Sequence, residues 1–219
     1  MRTPLHILVV GTAMLSALAL VGCQDEAEKA YQLGEESFAK GEPDKAIADF
    51  NEALRINADH AEAHYGLGRA LTARGQLGQA IAHFRKALEI KPSFAEARYH
   101  LGDALARCGR PLEAIAHYRM AAELKPDYLE AHYSLGLLLA GSGQVAEAMV
   151  HFQQALEINP RFAEAHYQLG RALAGRGRLN EAVAHYQKAL EIRPDYTEAQ
   201  HDLEAALGHG GQIGTALRP

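Results

Sequence analysis

The sequence predicts an all-α chain built from stacked helix-turn-helix units, and three observations carry that prediction. From Ala27 onward the chain matches itself at a constant offset of 34 residues, with units beginning at 27, 61, 95, 129 and 163 and no insertion between them. Within a unit, apolar residues recur at helical spacing in two successive runs, as in Tyr65, Leu67 and Leu71 and then Ile81, Phe84 and Leu88. Glycine or proline separates the runs, as Gly75 and Pro92 do. Such periodicity marks units that bury their apolar faces against neighbours.

The first element precedes the repeats. Arg2 is the sole Lys, Arg, Asp or Glu in the opening stretch, and Leu5 to Gly22 is almost wholly apolar. Its length is near the lower limit for a membrane span, and its many small residues make a weak permanent anchor, so a cleavable signal over 1–22 is expected. The segment ends Leu20-Val21-Gly22-Cys23 and turns abruptly polar at Gln24, Asp25 and Glu26. This resembles the bacterial lipoprotein signal, in which a cysteine after a small residue is acylated. The resemblance implies lipidation of Cys23, with 23–26 as lipidated terminus and spacer. Two or three acyl chains hold a protein firmly where one does so marginally. Gln24 rather than Asp after the cysteine implies the outer membrane of a cell envelope, facing the periplasm.

Each unit then reads as two helices. In the second unit, Glu62 to Arg74 is the first helix, Gly75 its left-handed C-cap, and Leu77 to Ile90 the partner helix, closed by Pro92. Gly34, Gly68, Gly102, Gly136 and Gly170 recur at the eighth place, where a side chain would hold the paired helices apart. On the second helix, Ala46, Ala80, Ala114, Ala148 and Ala182 are small for the same reason, with Ala53, Ala87, Ala121, Ala155 and Ala189 completing the seam. Phe50, Phe84, Tyr118, Phe152 and Tyr186 fill the gap between units. Residues 197–207 begin like a sixth first helix, with Glu204 where glycine is expected, and read as a solvating cap. The Gly-rich remainder, 208–219, is expected to be disordered.

The set of Leu-Gly, then alanine, aromatic, alanine and proline at fixed offsets resembles the tetratricopeptide repeat over residues 27–196. The resemblance implies a right-handed α-solenoid of five units, at 27–60, 61–94, 95–128, 129–162 and 163–196, plus the C-terminal capping helix. Departures are small. Place four, often Trp in the family, holds Ala30, His64, Arg98, His132 and His166. Ala58 replaces the turn proline of the first unit, so that junction is expected to fray or bend.

In the family, first helices line a concave face at places 2, 5, 9, 12 and 13, which makes these the candidate partner-binding positions. Place 5 is an unbroken row of Tyr31, Tyr65, Tyr99, Tyr133 and Tyr167. Tyrosine joins a large apolar area to a hydroxyl and suits peptide binding, although packing alone also asks for it. Place 2 is glutamate throughout, which either complements the helix dipole or faces a basic ligand. Place 9 varies among Glu35, Arg69, Asp103, Leu137 and Arg171, and Arg69, Asp103 and Arg171 are taken as partner-selecting. The Lys and Asn residues of the family's carboxylate clamp are absent. So is the asparagine row at place 6 that the repeats of the Ser/Thr-modifying glycosyltransferase use.

Protein or peptide partners are therefore expected, with the membrane reached through lipid. A net charge of −5 without a basic stripe leaves no footprint for nucleic acid. Two cysteines, Cys23 and Cys108, exclude a disulfide framework and a CxxC motif. Twelve histidines occur. His83, His117, His151 and His185 share one place, and His64, His132 and His166 another. Members of a row stand on the order of 10 Å apart, too far for metal–nitrogen bonds of about 2 Å, so solvated rows and no metal are expected. No nucleophile–base pair or phosphate loop appears, and Gly175-Arg176-Gly177-Arg178 lacks the GK[ST] of a phosphate cradle. No cofactor and no catalysis are expected. The leading function is a membrane-anchored adaptor; the alternative is an assembly factor for an envelope secretin or pilus complex.

Overall fold

The computed structural model describes residues 24–215 of the 219-residue chain. The expected signal over 1–22 and Cys23 lie outside the described residues. The described residues are all α-helical apart from turns, in the order α1 (24–39), α2 (Pro43–Ile56), α3 (Ala61–Ala73), α4 (Leu77–Ile90), α5 (Ala95–Arg107), α6 (Pro111–Leu124), α7 (Leu129–Gly141), α8 (Val145–Ile158), α9 (Ala163–Ala174), α10 (Leu179–Ile192) and α11 (Thr197–Thr215). The chain divides into two compact units, Met1–Arg110 and Pro111–Pro219. In the first, α2 packs on α3, α3 on α4, α4 on α5, and the first helices α3 and α5 touch. In the second, the same sequential pattern runs from α6 to α11, with α7 against α9 and α9 against α11. Helical hairpins stacked in chain order are what the repeat predicts.

The close approach of paired helices rests on the small residues. All ten alanines of the second-helix seam, from Ala46 to Ala189, are fully buried. Phe50, Phe84 and Phe152 are fully buried as well, each removing enough apolar surface to contribute roughly 2–3 kcal/mol. A Cβ on Gly68 would stand 2.5 Å from the Phe84 ring, and one on Gly136 would stand 2.6 Å from Phe152. Phe50 reaches further: it meets the Gly34 position of its own repeat and the Gly66 position of the next, at 2.6 and 2.5 Å. The aromatic therefore fills both the hairpin and the junction.

Each first helix ends in one repeated turn. Gly75 adopts φ +74, and its four counterparts at 34-residue spacing fall between +73 and +82. The Gln76 N–H donates to the Leu71 carbonyl at 2.9 Å and the Gly75 N–H to Thr72 at 3.0 Å, a Schellman closure of the last turn. Gly177 makes the same closure, so the Gly175–Arg178 stretch ends a helix.

Three expectations are corrected. Residues 24–26, taken as spacer, already belong to α1. The cap does not stop at 207: α11 continues to Thr215, into the stretch expected to be disordered. A nucleated helix propagates readily, glycine costs it only about 1 kcal/mol per residue, and the next proline is Pro219. At the Ala58 junction no bend is seen: α2 and α3 end and begin in the repeat's usual register. Asn57 Oδ1 accepts the Asp59 N–H at 3.1 Å, the same Asx turn that Asn159 makes with the Arg161 N–H across Pro160 at 3.0 Å, so this turn forms with or without the proline.

Candidate functional site

The tyrosine row is laid into an aromatic lattice inside each unit. Tyr31, Tyr65, Tyr133 and Tyr167 each stand 6.0–6.1 Å from the aromatic ring of their own second helix, Phe50, Phe84, Phe152 and Tyr186. Each also meets the ring that ends its repeat: His60 at 5.1 Å, Phe94 and Phe162 at 4.8 Å, and Tyr196 at 4.9 Å. Burial pushes the hydroxyls of Tyr31 and Tyr65 up to about 12, and those of Tyr133 and Tyr167 upward. The Tyr167 hydroxyl donates to Asp202 at 3.2 Å. Tyr99 is half-buried and edge-on to His100 at 5.1 Å. Within each unit the tyrosines are packed among other rings: Tyr31, Tyr65, Tyr99 and Tyr133 are half-buried, and Tyr167 is buried.

Several charged candidates are already engaged. Arg69 reaches back one repeat to Glu35 at 3.0 Å and lies over the Phe38 ring at 4.4 Å. Asp103 faces Arg107 at 3.7 Å. In the place-2 row, Glu62 meets Lys91 at 2.7 Å, Glu164 meets Arg193, and Glu28 faces His60 at 3.3 Å. Glu62 and Glu164 are thus paired with cations of their own repeats, which weakens the ground for a basic ligand at those two places.

Arg171 is placed differently. Its side chain is 56% exposed, and Asp202 stands 4.0 Å away. It borders a groove of about 820 Å³ between α7, the α7–α8 turn and α9. Leu137, Ala140, Val145 and Ala172 make its apolar surface, and Gln144, Gln168 and Arg176 its polar one. Glu147 also lines it but pairs with Arg119 at 2.6 Å. The groove therefore joins an aliphatic floor to guanidinium and amide donors, complementary to a segment with aliphatic and acidic or carbonyl groups. Of the residues singled out from sequence, the structure brings Arg171 to this groove. Val145 and Arg176 were missed, although both flank a Schellman turn whose position the glycines give.

The two histidine rows prove not to be solvated rows. They face each other across the hairpins, with Nδ1–Nδ1 separations of 3.0 Å for His64 and His83, 3.2 Å for His132 and His151, and 3.0 Å for His166 and His185. His64 and His132 are buried. A spacing of 19 residues, from place 4 to place 23, was the available signal. Among the described residues, no cluster of three or more His, Cys, Asp or Glu is placed to hold a metal, and no helix is long and apolar enough to cross a membrane. Cys108 is exposed at the C-cap of α5.

A family model described as TPR repeat matches residues 34–72, 68–109 and 108–143, and one described as Tetratricopeptide repeat matches 139–207. None of the curated proteins compared with the chain matches it. Among solved structures, YrrB, described as a TPR protein with an unusual peptide-binding site, is 26% identical with a TM-score of 0.72, over 86% of this chain and 97% of that one. MamA is 29% identical with a TM-score of 0.69, over 76% of this chain and 97% of that one. PilF of Pseudomonas aeruginosa shares the fold at 21% identity and a TM-score of 0.70, over 90% of this chain and 94% of that one.

Proposed function

The chain belongs to the tetratricopeptide repeat family, and on that premise we propose that it is a non-catalytic adaptor that grips a segment of a partner protein in the α7–α9 groove. Lipid on Cys23 holds it at a bacterial membrane, and Gln24 directs it to the outer membrane, facing the periplasm. The fold supports protein or peptide binding, and YrrB, of like fold, has a peptide-binding site. The observation that carries the site is Arg171: a largely exposed guanidinium bordering, with Leu137 and Val145, a groove of about 820 Å³. The tyrosine edges contribute apolar area in the same sense, as a rigid surface with little side-chain entropy to lose.

Affinity capture from membranes with the full chain identifies the partner. Replacing both Leu137→Asp and Arg171→Glu is expected to lower its recovery by tenfold or more, since a buried apolar contact and a charge-assisted hydrogen bond are each worth about 1–3 kcal/mol. Circular dichroism should be unchanged, because Leu137 and Arg171 are exposed. Equal recovery with intact helicity would refute the groove. Anchoring is tested apart: Cys23→Ala should move the protein from the membrane to the soluble fraction, and unaltered fractionation would count against lipidation.

A further inference from the structure

Repeats two, four and five share a feature that peptide binding does not use. In each, the first-helix histidine presents Nε2 to a backbone carbonyl of the preceding turn: His64 to Ala58 at 3.0 Å, His132 to Pro126 at 3.1 Å and His166 to Pro160 at 3.1 Å. A carbonyl only accepts, so Nε2 carries the proton, and Nδ1 of the neutral ring keeps its lone pair. That Nδ1 stands 3.0–3.2 Å from Nδ1 of the second-helix partner. A carbonyl on the far nitrogen, fixing tautomer and ring orientation, is the usual support of a metal-binding histidine.

We propose that each pair, His64–His83, His132–His151 and His166–His185, is a two-nitrogen site for a divalent late first-row transition-metal ion such as Zn²⁺ or Cu²⁺. Two metal–nitrogen bonds of about 2.0–2.1 Å spanning the observed separations meet at an angle of roughly 95–105°. That lies between the square-planar and tetrahedral values that imidazole complexes of Cu²⁺ and Zn²⁺ adopt. Binding needs no net loss of protons from neutral rings: the second-helix histidine moves its proton from Nδ1 to Nε2. His83, His151 and His185 are half-buried, while His64 and His132 are buried. Asp59 and Lys86 lie near the first pair, Glu147 near the second, and Glu181, Lys188 and Glu191 near the third.

The chain carries its own controls. The first repeat has Ala30 and Asp49 at the two positions, and the third has Arg98 at the first of them. Three ions per chain are expected, not five.

The test is calorimetric titration of the full chain in detergent with Zn²⁺ alone, and in parallel with Cu²⁺ alone. Saturation at three ions is expected, with His83→Gln, His151→Gln and His185→Gln each removing one. His201→Gln, which alters an exposed histidine outside the pairs, should remove none. Each single variant keeps two pairs, so the count remains readable if a triple variant misfolds. Nitrogen-15 spectra should show the paired Nδ1 resonances moving with Zn²⁺ at constant pH. A stoichiometry indifferent to the pair variants, or Nδ1 resonances that move with protons and not with Zn²⁺, would overturn the proposal and leave hydrogen-bonded pairs.

Discussion

At Gly136 the paired helices are close enough that one methyl group decides the fit. Alanine there would gain about 1 kcal/mol of helix propensity, but its Cβ would stand 2.6 Å from a Phe152 ring that is fully buried and has no room to retreat. Overpacking of that kind costs typically 1–3 kcal/mol, which offsets or outweighs that gain, so Gly136→Ala should lower stability by up to about 2 kcal/mol in urea unfolding; a raised midpoint would show the contact to be soft. His100 governs a second property, the response to acid. It is packed between Tyr65 and Phe84, and burial pulls its imidazole down from 6.5 to about 4. The unfolded chain therefore binds a proton that the folded chain refuses, and stability falls as pH drops from about 6.5 towards 4. The loss is on the order of 2–3 kcal/mol by pH 4.5. His64, His83, His151, His166 and His185 are shifted down chiefly by burial as well and add to the same slope. Melting curves at pH 7.5 and 5.0 should show the drop, and His100→Gln should make it shallower.

A helical hairpin here is a turn as much as a seam, and the two depend on glycine for different reasons. Gly143 has open space around its Cβ position but φ +82, so Gly143→Ala should cost about 1–2 kcal/mol through backbone strain alone. Gly143→Asn should recover part of that cost, because asparagine tolerates the left-handed region; at Gly136 asparagine would be worse than alanine. Thermal melts of the four variants separate the two roles. These elements were legible in the sequence because the notches and caps are local: glycine at place 8, glycine at place 15 and alanine at places 20 and 27 state where helices approach and end. What contacts span between elements was less legible. Arg69 meets Glu35 only because successive first helices stand side by side, and His64 meets His83 only because places 4 and 23 fall on facing sides of one hairpin. Periodicity gives the face of a helix, but not the rotation that decides which residues of two faces touch. The Arg171 groove was half legible for that reason: place 9 was known to vary, whereas the contribution of the α7–α8 turn was not.

Across the molecule, burial is exchanged between neighbours in the chain, α2 with α3, α3 with α4, and α7 through α11 in the same manner. Stability in such an array is approximately a sum of repeat terms and interface terms, so damage should stay near where it is made. Phe152→Ala removes a fully buried ring from the α7–α8 hairpin and should cost about 3–5 kcal/mol locally. Hydrogen exchange of the full chain then distinguishes an array from a single cooperative core. In an array, amides of α7, α8 and α9 lose most of their protection, those of α10 lose less, and those of α2, α3 and α4 keep their wild-type rates. In a single core, every slow amide opens through the same global event, and all lose protection by one common factor. Uniform loss from α2 to α10 would therefore contradict additive stacking, and with it the reading that each hairpin is held by its neighbours alone. A graded loss centred on α8 would also explain how the groove at α7 and α9 can be altered without disturbing repeats further along the chain.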